Sequence, residues 1–239
     1  MSPPMKIILT CLFFYSYASS LYADSNSINK VEHPYVNSQE KEISFASFYQ
    51  KDHNNTQNHT LKHKLSLGWA FSDKWFAEFN IAGKHNTIKQ RFAESSYEIE
   101  LKRQLTEQGQ YTADYGVIFA YEKEDDINIE EVSINFLVEK QWGKWVGTAN
   151  LKNIYEWGND INNEFESALA AQAKYRYKAS LEPAIELYAG EKNQGIGPVL
   201  TGFKRLAPGK KLFWEFGLIL GLNQKSPDQT YRALLEYEF

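Results

Sequence analysis

The feature that most limits how this chain can fold is a two-residue alternation of apolar and polar side chains, repeated from about residue 43 to the last residue. Period two sends successive side chains to opposite faces of an extended strand, whereas an amphipathic helix needs a period of 3.6. The clearest case puts Leu61, Leu65, Leu67, Trp69 and Phe71 on one face and Lys62, Lys64, Ser66, Gly68 and Ala70 on the other. Ser72-Asp73-Lys74 supplies turn chemistry, and Trp75, Ala77, Phe79 and Ile81 then alternate against Glu78, Asn80 and Lys84. A modest first segment (41–50) carries Ile43, Phe45 and Tyr49, and later segments carry Tyr97-Ile99-Leu101, Val117-Phe119-Tyr121, Val132-Ile134-Phe136, Ile185-Leu187 and Leu212-Trp214-Phe216. Only 196–206, rich in glycine, has no assignable faces. Turn chemistry is expected at 72–74, 106–109, 141–143, 178–180 and 207–210, and longer polar connections lie between these turns.

Composition selects among all-β architectures. Fifteen Tyr, fifteen Phe and six Trp sit in a chain whose mean hydropathy is −0.52, which excludes a bundle of membrane helices. A net charge of −4 with scattered basic residues excludes a nucleic-acid surface. A soluble sandwich also alternates, but its strands average ~5–6 residues, and segments of ~10–13 are long enough to cross a bilayer at a tilt. Trp69, Phe71, Trp75, Trp145, Tyr175, Tyr177, Trp214, Tyr237 and Phe239 gather near turns, where an interfacial girdle belongs. The opposite faces carry too much charge for a sandwich core but suit a wet lumen. The predicted fold class is all-β: a transmembrane up-and-down antiparallel β-barrel of about twelve strands.

The final stretch, Gln229 to Phe239, places Tyr231, Ala233, Leu235, Tyr237 and Phe239 on one face and ends on an aromatic residue. It resembles the closing strand of Gram-negative outer-membrane β-barrels, a porin-like family whose last strand ends in Phe. The resemblance spans about residues 41–239 and implies short periplasmic turns, longer outer loops and both ends of the barrel in the periplasm. It also implies that Tyr237 and Phe239 act as an assembly signal, with the barrel-assembly machinery, outer-membrane lipid and lipopolysaccharide as partners.

Upstream, Lys6 and the apolar run Ile7–Tyr17 followed by small residues read as a signal peptide over 1–23, with cleavage expected after Ala23 and alternatives at Ala18 and Ser20. Localisation is therefore expected in the cell outer membrane. Cys11 lies inside the apolar run rather than after it, which argues against a lipid anchor. Residues 24–40 are polar and aperiodic and are read as a flexible periplasmic lead-in.

The charged face supplies the candidate lumen: Lys64, Glu78, Glu98, Glu100, Lys102, Asp114, Glu131, Lys152, Lys174, Arg176, Glu182, Glu186, Glu215, Arg232 and Glu236. Short turns set registers that would put Lys102 opposite Asp114, Glu131 opposite Lys152, Arg176 opposite Glu182, and Glu215 opposite Glu236 with Arg232 nearby. Arg103, Arg176, Arg205 and Arg232 are too few and too neutralised for the arginine rows of twelve-stranded acid-sugar channels. The leading expectation is a narrow porin-like channel for small solutes. The alternative is a closed structural or partner-binding barrel acting through its outer loops, and a lipid-modifying outer-membrane enzyme comes third.

No enzyme is expected, and no cofactor or metal. Ser47 opposite His63 would begin a nucleophile–base pair but lacks an evident third group. His53, His59 and His85 sit near the first two outer loops with no familiar metal spacing, and Gly195-Ile196-Gly197 leads into Pro198 as backbone flexibility rather than a phosphate cradle.

Overall fold

A computed structural model describes residues 28–51, 59–86, 92–125, 128–159 and 161–239. Twelve strands follow one another: β1 (Lys41–Lys51), β2 (His59–Ser72), β3 (Trp75–Asn86), β4 (Phe92–Gln104), β5 (Asp114–Glu124), β6 (Ile129–Trp142), β7 (Trp145–Gly158), β8 (Glu164–Tyr175), β9 (Glu182–Gly190), β10 (Gln194–Ala207), β11 (Lys210–Gly221) and β12 (Gln229–Glu238). Each pairs antiparallel with its chain neighbours, and β12 pairs with β1 to close the barrel. Closure leaves no unpaired edge, which is the condition for crossing hydrocarbon with strands. The expected signal peptide over 1–23 lies outside the described residues.

The alternation lands as the periodicity requires. Phe45, Leu67, Ile99, Phe136, Leu151, Phe216 and Leu235 are exposed on the outer surface, while Ser66, Asn80, Thr148, Glu186 and Arg232 are buried within. An outer wall this apolar is solvated by lipid rather than by water. Strand β10 acquires definite faces: Ile196, Pro198 and Leu200 point out, and Gly195, Gly197 and Val199 point in. Gly197 has a steric reason, since a Cβ there would lie 1.8 Å from the carbonyl oxygen of Leu218 on β11.

Aromatic pairs mark two rims. At the turn end, Phe71 stacks with Trp75 at 6.3 Å, Trp145 meets Tyr175 edge-on at 5.1 Å, and Tyr237 stacks on Phe239 at 5.6 Å. At the loop end, Tyr49 lies beside Tyr231 at 6.1 Å and Tyr155 beside Trp157 at 5.8 Å. Amphipathic rings at both ends of the apolar band fit the two bilayer interfaces.

Three expectations about connections change. Residues 105–113 join β4 to β5, longer than a turn at 106–109, so Lys102 faces Ile118 and Asp114 faces Glu139. The β9–β10 connection, expected among the longer ones, is residues 191–193 alone. The closing hairpin is offset by two residues, with Trp214 facing Leu235 and Phe213 facing Glu236, so Glu215 lies opposite Leu234 rather than Glu236. A two-residue error keeps every side chain on its correct face, which is why the faces are right where the partners are wrong.

The largest departure precedes β1. Within the stretch expected as a flexible lead-in, residues 28–36 run inside the barrel, and 37–39 are exposed at its turn end. Ile28 and Val31 are 1% and 2% exposed and share one apolar cluster with Ala184, Tyr188, Val199 and Ile219 of β9, β10 and β11. Near the turn end, Val36 N donates to Gln104 Oε1 at 2.8 Å and Ser38 Oγ to Asp73 Oδ1 at 2.7 Å. The physical reason is the barrel's own interior: apolar side chains in the polar segment gain more by covering an inner wall than by remaining in water.

Candidate functional site in the lumen

The inner wall and the segment inside it form one polar system. On the side made by β8, β9, β11 and β12, Arg232 is 3% exposed and Glu186 is fully buried. Arg232 Nη2 lies 2.7 Å from Glu186 Oε2 and 2.7 Å from Glu215 Oε1. Arg232 Nη1 donates to the Tyr188 hydroxyl at 2.8 Å and also to the backbone carbonyl of Asn29. The Tyr188 hydroxyl is 2.6 Å from Glu186 Oε2 and 2.8 Å from Asn29 O, so its one proton serves either acceptor. Gln172 Nε2 completes Glu186 with a 2.8 Å bond. A buried guanidinium persists only when carboxylates and further hydrogen bonds satisfy it, and here part of that set is the entering segment's own backbone.

Across the lumen the segment is held by polar contacts. Asn150 makes a two-point amide grip on Glu32: its Oδ1 accepts from Glu32 N at 2.7 Å and its Nδ2 donates to Glu32 O at 2.8 Å. The Glu32 carboxylate receives Lys102 Nζ at 3.0 Å, with Lys30 Nζ at 3.4 Å. His33 Nδ1 meets Glu139 at 2.5 Å, and Tyr35 donates to Asp114 at 2.8 Å. Gly116 leaves the room this passage needs: a Cβ on it would lie 2.9 Å from Pro34 Cα.

Beyond the segment, toward the loop end, a cavity of about 170 Å³ remains along β1–β8. Eight carboxylates line it, including Glu78, Glu122 and Glu156, against four ammonium groups: Lys30, Lys62, Lys64 and Lys152. Lys64 reaches Glu98 at 3.3 Å and Glu100 at 3.6 Å, and Lys152 reaches Glu131 at 2.9 Å.

The expected lumen residues are therefore placed as follows. Lys152 does pair with Glu131, although diagonally, because Lys152 sits opposite Asn135 and Glu131 opposite Glu156. Lys102 and Asp114 do not meet; each contacts the inserted segment instead. Arg176 lies after the end of β8, where its backbone N–H donates to Lys144 O, and Glu182 takes Lys174 as partner at 3.5 Å. Glu236 has Lys30 at 3.8 Å. Glu139, Tyr188, Asn150 and His33 join the site without having been singled out; the inward alternation marks Glu139 and Tyr188, but nothing in the sequence announces their partners.

At the two ends of the barrel, Lys192 and Glu40 are displaced in pKa. Lys192, in the β9–β10 connection, is opposed by burial, but its hydrogen bonds to Glu166 and Glu164 prevail and hold it above the ordinary lysine value. Burial, with Glu238 nearby, pushes the Glu40 carboxyl up.

The register does place Ser47 opposite His63. His63, however, stacks on Phe45 at 5.4 Å, and its Nδ1 has no hydrogen-bond partner among the described residues. His53 lies outside the described residues, and no group of three or more metal-ligating side chains occurs among them.

A closed twelve-stranded antiparallel barrel with an apolar exterior and a charged, occupied lumen has the architecture of outer-membrane β-barrels. Solved structures with this fold include the COG4313 outer membrane channel from Pseudomonas putida F1, at TM-score 0.62 and 11% identity over 88% of this chain and 98% of that one. The KdgM porin in complex with disordered oligogalacturonate matches at TM-score 0.56 and 12% identity over 83% of this chain and 99% of that one. The translocator domain of autotransporter NalP from Neisseria meningitidis matches at TM-score 0.56 and 7% identity over 85% and 88%. No protein-family model and no curated protein matches the sequence.

Proposed function

We propose that this chain is a porin-like channel of the Gram-negative outer membrane, exported through a signal peptide, whose passage for small solutes is narrowed by its own residues 28–40. One observation carries this reading: the segment occupies the lumen, yet an acidic cavity remains beside it. Channel and porin structures among the fold relatives support the reading at the level of architecture. Catalysis is not part of it, and neither is nucleic acid. The experiment is single-channel recording of refolded protein in planar bilayers, with and without residues 28–40. Small steady currents from the full chain and a several-fold larger conductance from the deletion variant are expected. A deletion variant that folds and remains silent would sink the channel.

A second reading is a closed barrel acting through its outer loops. The Arg232–Glu186–Tyr188–Asn29 network favours it, because a segment tied to the wall through Asn29 O closes that side of the lumen. Silent but correctly folded wild-type barrels would select this reading.

Assembly gives a separate prediction. The Phe239 backbone N–H donates to Lys41 O at 2.8 Å, so the terminal residue also closes the seam between β12 and β1. Deleting Phe239 should lower the level of heat-modifiable barrel in outer-membrane fractions; unchanged levels would contradict a role in assembly by the barrel machinery.

A further inference from the structure

The β4–β8 wall carries a feature that conduction of small solutes does not require. Glu98 lies opposite Glu122, Glu122 opposite Glu131, and Glu131 opposite Glu156, so four adjacent strands present four carboxylates in one continuous inward row. All four line the cavity, and Asn80 on β3 extends the row by one strand. Like charges directly opposite each other on neighbouring strands are destabilising, so such a row is a cost unless cations relieve it. Lys64 and Lys152 relieve Glu98 and Glu131. Glu122 and Glu156, on either side of Glu131, form no salt bridge among the described residues. Glu156 is 3% exposed and its Oε2 has no hydrogen-bond partner there; the same is true of Asn80 Oδ1, on a residue 1% exposed. Both unpartnered atoms are acceptors. The wall thus asks for a donor with positive charge.

The geometry of the row selects the kind of cation. No cluster among the described residues gathers three or more ligating side chains around a point, as a metal ion requires. The carboxylates are instead spread along a line at about 4.8 Å per strand. Glu122 and Glu156 flank Glu131 and so lie two strand spacings, roughly 10 Å, apart, about the distance between the first and third nitrogens of amines linked in series by three or four methylenes. We propose that this cavity binds a linear aliphatic polyamine, with its ammonium groups against Glu122 and Glu156 and its methylenes over the intervening wall. Ile118, Ile129 and Ile154 in the same cavity supply apolar surface for those methylenes. Binding of this kind does not depend on whether the barrel conducts.

The test is calorimetric titration of the full refolded barrel in detergent with spermine, 1,4-diaminobutane and Mg²⁺ as separate probes. Saturable spermine binding that weakens with salt is expected, with the diamine and Mg²⁺ at least tenfold weaker. The Glu122→Gln/Glu156→Gln double variant should lose at least tenfold in spermine affinity, while Glu107→Gln, at the turn end beside Lys74, should lose nothing. Should the double variant lack heat-modifiable migration, the two single variants are titrated instead, each expected to lose several-fold. Absence of saturable binding to folded wild type overturns the proposal. So does equal affinity for Mg²⁺ or the diamine, or unchanged affinity in the Gln variants. Because the readout is heat rather than current, this result stands apart from the outcome of the bilayer recordings.

Discussion

The two walls of the lumen treat the inserted segment differently. The β9–β12 wall is dry: Ile28 and Val31 pack against Ala184, Val199 and Ile219, and the terminal nitrogens of buried Arg232 meet two carboxylates, a tyrosine hydroxyl and a backbone carbonyl. The β2–β8 wall is wetter: its paired Lys64, Glu98, Lys152 and Glu131 keep partial access to solvent, and the carboxylates around its cavity outnumber the cations. The segment is therefore anchored along one side and bordered by a cavity lined with charged groups on the other. An interior sealed on one wall and polar on the other can hold its plug firmly while leaving a path, or a binding site, alongside it.

The comparison predicts unequal responses to removing a charge from each wall. On the dry wall, Arg232→Ala strands Glu186 and Glu215, and unfolding in detergent should become easier by about 3–5 kcal/mol, read from denaturant titrations of tryptophan fluorescence. Replacing the group together, as Arg232→Met/Glu186→Leu/Glu215→Leu, should return much of that stability, since no buried charge is then left alone. The triple variant should still loosen the segment, because Asn29 O loses its guanidinium donor. A larger bilayer conductance than wild type would show it. If Arg232→Ala costs nothing, the dry wall is not the anchor.

Between the walls, Gly116 tests whether the segment must pass where it does. Gly116→Val puts a branched side chain within contact distance of Pro34 and should cost about 1–3 kcal/mol in the full chain. In the chain lacking residues 28–40 the same substitution should cost little. A cost independent of the segment would mean that β5, and not the passage, requires the glycine.

How much of this could be read from the sequence depends on the range of the interaction. Faces were legible because alternation is local: Glu186, Glu215 and Arg232 were placed inward by counting residues along their own strands. Partners were not. A connection running from Leu105 to Ala113 moves Lys102 away from Asp114, and its length cannot be counted from turn residues that begin at Thr106. The inserted segment was the least legible part. Ile28, Val31, Pro34 and Val36 follow neither period two nor period 3.6, and their burial has meaning only against walls contributed far along the chain: Ala184, Val199 and Ile219 for Ile28 and Val31, Gly116 for Pro34 and Gln104 beside Val36. Tyr188 and Asn150 likewise read as ordinary inward residues until Asn29 and Glu32 arrive beside them.

The smallest effect belongs to the wet wall, and it sharpens the contrast because the chemistry removed is again a paired cation. Lys152 donates to Glu131 at 2.9 Å, but its side chain is 32% exposed and borders the cavity. Solvent and salt screen such a pair, and its contribution to stability should be about 0–1 kcal/mol. Lys152→Met is therefore expected to unfold nearly with wild type in the same fluorescence titration. Its consequence should appear in the lumen's electrostatics: one cation fewer in an acidic row raises the preference for cations in reversal-potential measurements across a salt gradient. A destabilisation as large as that of Arg232→Ala would show the β2–β8 wall to be as dry as its opposite. The asymmetry on which both the proposed passage and the proposed cation site depend would then be lost.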